Sequence, residues 1–192
     1  FYYGGPIFST YYNALELYKL GVEVYVSTTT ATGPERLNVE KNKFIKHSDN
    51  FFIKYYSPAT QNGFSYRMIF GLWKDISESD IVYTQSIFST SSVIVLLYAK
   101  LLKKKVLLSP RGQLENWSLK YGSRFKKLWL SLFIKPFANK IKWHVTSEKE
   151  KQDLISVFPA ASSVIIPNGI NLEDYKNIPK MKDRSFYKKY SA

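Results

Sequence analysis

Short apolar runs alternate with helix-length segments along nearly the whole chain. That alternation limits the fold more than any single residue does. Val22 to Thr28, Phe51 to Tyr56, Ile81 to Thr84, Val106 to Ser109, Lys142 to Val145 and Val164 to Ile166 have strand length and β-branched or aromatic content. Helical spacing fills much of the rest. Pro6 suits the first position of a helix, Phe8, Tyr11, Leu15 and Tyr18 follow on one face, and Gly21 is placed to end it. Phe64, Met68, Leu72 and Ile76 mark a second helix ending near Ser79, and Val93 to Leu102 a third. Leu119 to Phe137 reads as largely helical with Pro136 as a kink or restart, and Ser147 with Glu150 has capping-box spacing for a helix over 148–157. Residues 29–50 show no clear period.

Strands separated by helices imply βαβ units, hence an α/β fold with a Rossmann-like, mostly parallel sheet and helices on both faces. Val164 to Ile166 is expected to be the last, buried strand, and Pro167-Asn168-Gly169 stops it. Gly4-Gly5-Pro6 resembles the loop after a first strand, yet only three residues precede it. The central strand of such a sheet is therefore expected to be missing or cut short.

The 192 residues suit one domain, or one domain with a stub, and the 45% hydrophobic content is enough for a sizeable core. The absence of cysteine argues against a disulfide-stapled secreted fold and fits a reducing cytosol. No apolar run approaches the roughly 20 residues of a spanning helix. The chain begins at Phe1 without a basic-then-apolar leader, which reads as a trimmed start rather than a signal peptide. Lys and Arg total 28 against 15 Asp and Glu, a net +13 that favours an anionic partner: nucleic acid, an anionic leaflet or a phosphorylated substrate.

Ligands of an open parallel sheet sit at the carboxyl ends of its strands. Four loops are expected there: Gly4-Gly5, Gln85-Ser86, Pro110-Arg111-Gly112-Gln113 and Thr146-Ser147-Glu148. Gly4 and Gly5 let backbone N–H groups approach a phosphate at a helix N-terminus, or simply form a tight turn. Arg111 projects at a strand end, where its fork can hold phosphate or carboxylate bidentately or pair with a neighbouring acid such as Glu115. Trp117 can stack on a sugar or pack. Ser147 is a helix cap and Glu148 complements the helix dipole, with acceptor hydroxyls as a second role. His144 falls inside a strand and reads as a core or sheet-face residue. Two distant histidines, no cysteine and no Asp-x-Asp pair leave no support for a metal site.

Leu119 to Lys142 carries Lys120, Arg124, Lys126, Lys127, Lys135, Lys140 and Lys142 and no acid, interleaved with Phe125, Leu128, Trp129, Leu132, Phe133 and Phe137. A basic amphipathic helix with aromatics suits an anionic membrane surface. The plainer reading turns the aromatics to the sheet and leaves the lysines solvated.

Taken in order, these motifs resemble the N-terminal domain of a GT-B glycosyltransferase of group 1, family 4. They are Gly4-Gly5-Pro6, Leu20-Gly21-Val22-Glu23-Val24, Asp80 to Tyr83, Leu108 to Trp117, His144 to Glu148 and Ile166 to Asn171. The resemblance covers roughly residues 3–175. It implies a Rossmann-like acceptor-binding domain over 1–175 with a truncated first strand. Residues 176–192 would then be a linker and the start of a missing donor-binding domain. It further implies transfer of a sugar from a nucleotide-sugar to a saccharide or lipid-linked acceptor. Configuration would be retained, no metal or other cofactor would be required, and the 192 residues alone would be inactive. The expected setting is envelope or exopolysaccharide synthesis, in the cytoplasm or on the inner face of the plasma membrane, with no nucleic acid. Gly5 would approach the donor diphosphate with its backbone N–H, with Gly4 beside it among the substrate-binding residues. Gln85, Arg111, Gly112, Trp117, Ser147 and Glu148 would line the acceptor side, and Pro167, Asn168 and Gly169 would form the hinge. No catalytic residue is assigned, because the histidine that many relatives carry at the Ser109-Pro110-Arg111 strand end is not present here. The rival reading is a non-catalytic basic Rossmann-like module that binds a membrane surface or nucleic acid. A nucleotide-dependent oxidoreductase lacks its glycine fingerprint.

Overall fold

The computed structural model describes residues 5–61, 63–115, 118–119 and 123–169. The element order is α1 (Gly5–Lys19), β1 (Val24–Thr29), β2 (Ala31–Thr32), β3 (Glu35–Arg36), β4 (Phe44–Ser48), β5 (Phe51–Tyr56), α2 (Tyr66–Ser77), β6 (Ile81–Gln85), α3 (Thr90–Leu101) and β7 (Lys105–Ser109). It continues with α4 (Ser123–Trp129), a π-helical extension (Leu130–Ile134), β8 (Lys142–Val145), α5 (Glu148–Val157) and β9 (Ser162–Ile165). The unpatterned stretch 29–50 thus holds the small β2–β3 hairpin and β4.

The molecule is a Rossmann-like α/β fold. One sheet has the order β1-β5-β4, with β1 parallel and β4 antiparallel to β5; the other is fully parallel, β6-β7-β8-β9. Gly21 ends α1 at φ +84°, a conformation that glycine adopts without a Cβ clash. The two faces of the first sheet can be read from β5, because alternate strand residues point opposite ways. Phe51 packs against Tyr11 and Tyr18 of α1, whereas Lys54 and Tyr56 reach Asp75 of α2. Helices α1 and α2 therefore cover opposite faces. The main core joins α2 and α3 to the second sheet through Leu72, Ile76, Leu96, Leu108 and Trp143.

Two expectations shift. The last strand is not buried: β9 is the edge of its sheet, with Val164 36% and Ile166 47% exposed, because only one side and one face are covered. The helix expected over Leu119 to Phe137 is α-helical at Ser123–Trp129 and then widens into the π-turn, where Lys135 N–H bonds Leu130 O at 2.8 Å just before Pro136. Proline cannot donate to the ladder, so the regular helix gives way at this point.

Burial, and then the hydrogen bond to Asp75, push the Tyr56 hydroxyl above its usual value of 10.0. A group whose folded pKa is raised gives stability that is full below the unfolded pKa and is lost as pH climbs through the folded one. Urea midpoints should therefore hold up to about pH 10 and fall beyond it. Tyr56→Phe, which cannot ionise in either state, should flatten that alkaline slope; an unchanged slope would assign it to other groups.

Candidate functional site

The carboxyl ends of β6, β7 and β8 meet at one rim. Gln85 pairs with Ser109 in the β6–β7 register, so the loops that follow these strands start side by side. Both loops turn sharply through residues at positive φ: Ser86 (71°), Arg111 (52°) and Gly112 (74°). Non-glycine residues seldom adopt this conformation, and such strain collects at sites where surrounding bonds enforce it.

Those bonds are present. Gln113 Oε1 accepts from Ser86 Oγ at 3.0 Å and from Ile87 N–H at 2.7 Å, tying the β7 loop to the β6 loop. Glu150, buried in the first turn of α5, reaches across in the other direction. Its carboxylate accepts from Gly112 N–H and Thr146 N–H at 2.6 Å each and from the Thr146 hydroxyl at 2.8 Å. Three charge-assisted bonds hold the Arg111–Gly112 turn against the β8 loop. Ser147 caps α5 by accepting Glu150 N–H, but Glu150 does not return to Ser147 as a closed capping box would; it serves the rim instead.

The Arg111 guanidinium is held by neutral acceptors. Nε donates to Gln85 Oε1 at 3.1 Å, Nη2 to the Tyr83 hydroxyl at 3.2 Å and Nη1 to Asn168 Oδ1 at 2.5 Å. The expected rival partner, Glu115, bonds Lys149 at 2.9 Å, and no carboxylate among the described residues forms an ion pair with Arg111. Its guanidinium is thus fixed in place by neutral groups, with no ion pair among the described residues, which suits an electronegative ligand. Burial raises the Tyr83 pKa above 10.0, with the Arg111 charge opposing. Tyr83 remains a hydroxyl at neutral pH and bonds His144 Nδ1 at 2.8 Å. His144 Nε2 lies 2.9 Å from Ile166 O, which can only accept, so Nε2 donates to it. Both ring nitrogens are used, and His144 acts as the structural post expected of it, anchoring the chain just before Pro167.

Four buried side-chain atoms among the described residues lack a hydrogen-bond partner: Thr30 Oγ1, Ser65 Oγ, Gln85 Nε2 and Ser109 Oγ. Buried polar groups are ordinarily satisfied. Thr30, Gln85 and Ser109 stand at or just beyond the carboxyl ends of β1, β6 and β7, and Ser65 is the N-cap residue of α2. Two of the four, Gln85 and Ser109, lie side by side on the β6–β7 rim.

Of the residues singled out from sequence, Gln85, Arg111, Gly112 and Asn168 come together here, and Ser147 borders them through Glu150 and Thr146. Glu148 is exposed, 3.7 Å from Lys151. Pro167 and Gly169 lie exposed beside Asn168, and Gly5 opens α1. Gly4 and Trp117 fall outside the described residues. Tyr83 and the cross-linking role of Glu150 had no signal in the sequence beyond a strand position and a capping spacing. No three His, Cys, Asp or Glu side chains gather into a metal-binding cluster among the described residues.

The sequence model of glycosyltransferase family 4 matches residues 3–174. The chain belongs to this family. No curated protein and no solved structure matches it significantly. Family membership makes the chain a glycosyltransferase-type domain with sugar donor and acceptor substrates in general.

Proposed function

We propose that the rim binds the acceptor of a retaining glycosyltransferase, which moves a sugar from a nucleotide-sugar to a saccharide or lipid-linked acceptor in envelope or exopolysaccharide synthesis. The observation that carries this reading is the Arg111 guanidinium, fixed by neutral acceptors, beside the unpartnered Gln85 Nε2. Arg111 and Gln85 bind acceptor oxygens, Gly112 is held in register by Glu150, and Ser147 and Glu148 border the acceptor. Gly5, at the start of α1, approaches the donor diphosphate through its backbone N–H. Pro167-Asn168-Gly169 is the hinge to a donor-binding half. No metal is required, because the helix N-terminus and Arg111 supply positive charge. The test compares sugar transfer by the 192-residue chain with that of the protein at its full encoded length. Transfer confined to the latter supports the division of labour, and equal rates would refute it.

The second element of the proposal is docking on an anionic membrane, at the cytoplasmic face of the plasma membrane. No described helix is long and apolar enough to cross a bilayer. The π-extended α4 instead divides its side chains. Leu130 and Ile134 are buried and Trp129 Nε1 donates to Ile87 O, while Phe125, Leu128 and Leu132 stand 70%, 54% and 57% exposed. Arg124, Lys127, Lys135 and Lys140 are exposed beside them. The plainer reading, with the aromatics turned to the sheet, holds for Trp129 and fails for Phe125 and Phe133, 70% and 39% exposed. Each lysine near an anionic leaflet contributes about 1 kcal/mol, so Lys127→Ala with Lys135→Ala should weaken binding to phosphatidylglycerol-containing vesicles roughly 30-fold. Co-sedimentation that is equal on purely zwitterionic vesicles would contradict this.

A further inference from the structure

A groove of about 470 Å³ opens between the β5–α2 and β6–α3 connections, lined in part by Ser65, Ser89, Thr90 and Ser91. Two helices of 12 residues each begin at it. Helix N-termini present unpaired N–H groups and a positive dipole end, which favour an anion. Neither first turn contains an acidic residue, and no charged residue lines the groove. Helix α3 is capped by Ser89 Oγ, which accepts Ser92 N–H at 3.1 Å. Helix α2 is not: Ser65 occupies its N-cap position with an extended backbone, yet its side chain makes no capping bond.

Ser65 also supplies a second, independent observation. It is 3% exposed, lines the groove, and its Oγ has no hydrogen-bond partner among the described residues. A hydroxyl kept buried beside an uncapped helix end, with its bonding capacity unspent, is a feature that a ligand oxygen completes. Phe64, Ile69 and Phe88 line the same groove and give it an apolar wall. Lys126 Nζ lies 5.3 Å from the Phe88 ring and adds positive charge near that wall. The Ser86–Ser89 loop that borders the groove is pinned at its other end by Gln113 and leads directly from Gln85 of the Arg111 cluster.

We propose that this groove binds the phosphate of a phosphorylated acceptor, with the apolar wall taking the part of the molecule next to the phosphate. Ser65 Oγ and the first-turn N–H groups of α2 and α3 hold the phosphate oxygens. The acceptor then runs along the Ser86–Ser89 loop towards Arg111. The proposal rests on the acceptor-binding reading above and narrows its substrate class to phosphate-bearing molecules.

The test is an amide-shift titration of the isotope-labelled 192-residue chain with inorganic phosphate, dodecyl phosphate and dodecyl maltoside. Both phosphates should move the amides of Tyr66 to Met68 and of Thr90 and Ser91, and the maltoside should leave them in place. Dodecyl phosphate binding about 10-fold tighter than inorganic phosphate indicates a lipid phosphate, because the apolar wall then adds to affinity, and equal affinities indicate a soluble one. Ser91→Asp puts a carboxylate at the helix N-terminus and should weaken phosphate binding at least about 10-fold. Ser65→Ala should also weaken it without lowering Tm, since the hydroxyl has no partner to lose. Phosphate shifts confined to the Arg111 loop, maltoside shifts equal to those of dodecyl phosphate, or full binding by Ser91→Asp would overturn the proposal. Failure of the acceptor-binding reading looks different: phosphate binds in the groove, but the full-length protein transfers no sugar.

Discussion

Asp75→Ala is expected to unfold the chain at a markedly lower temperature than any surface substitution. Asp75 is the link between α2 and the first sheet. Its Oδ1 accepts from Lys54 Nζ at 2.6 Å, and its Oδ2 from Ser27 Oγ and the Tyr56 hydroxyl at 2.6 Å each. The Lys54 and Asp75 side chains are only 12% and 8% exposed. Lys54 Nζ also sits over the rings of Phe44 and Tyr56, 4.6 and 4.9 Å from their centroids, and has no other carboxylate partner among the described residues. Removing one member of a buried ion pair leaves the other charge uncompensated, which costs about 3–5 kcal/mol. For a chain of this length that lowers Tm by on the order of 10 °C. Asp75→Asn keeps an acceptor for the two hydroxyls and strands only the lysine, so it should fall between wild type and Asp75→Ala. A calorimetric Tm for Asp75→Ala within a degree or two of wild type would mean that water enters the site and solvates Lys54.

Glu150→Ala should damage the rim even where the fold survives. The carboxylate is the common acceptor for Gly112 N–H, Thr146 N–H and the Thr146 hydroxyl. Hydrogen bonds to a charged group contribute about 1.5–3 kcal/mol, so losing the shared acceptor should cost roughly 2–4 kcal/mol of stability, given that some donors find water. The larger effect is on geometry. Arg111 and Gly112 both hold positive φ, and Glu150 is the group that clamps this turn. Without the clamp the turn relaxes, and Arg111 loses its alignment with Gln85 and Tyr83. Glu150→Gln retains one acceptor oxygen for Gly112 but faces the Thr146 donors with an NH₂, so only part of the loss is recovered. Because Glu150 acts through Arg111, its variants should lower kcat/KM for the acceptor while leaving the donor KM unchanged. A parallel loss in both would point to general unfolding instead.

Much of the fold was legible in the sequence, and the reasons separate the parts that were from those that were not. Phe51–Tyr56 and Lys142–Val145 have the ends their residue patterns predict, because strand runs bounded by polar or turn residues leave little choice of register. The helix 148–157 was marked by its cap. β9 was misjudged as buried, since a β-branched run reads the same at the edge of a sheet as at its centre. The 29–50 stretch gave no period because β2 and β3 are two-residue strands. At the site, the loops could be placed once the strands were, as the carboxyl ends of a parallel sheet share one rim. Arg111 was recognisable from its Pro-Arg-Gly setting. Tyr83 and His144, 61 positions apart, were not, and neither was the 38-residue span from Gly112 to Glu150. Those pairings depend on which strands lie side by side, and no local pattern encodes that.

The central claim is that Arg111 on this rim serves glycosyl transfer. The most direct measurement incubates the protein at its full encoded length with radiolabelled UDP-glucose, UDP-galactose, UDP-N-acetylglucosamine and GDP-mannose in turn, using a membrane extract of the producing cells as acceptor. Label should pass into the extract from one of these donors. Arg111→Ala should cut that transfer about 100-fold or more, the effect of losing roughly 3 kcal/mol of charged binding, while circular dichroism shows a folded protein. No transfer from any donor, or transfer indifferent to Arg111→Ala, would contradict the account.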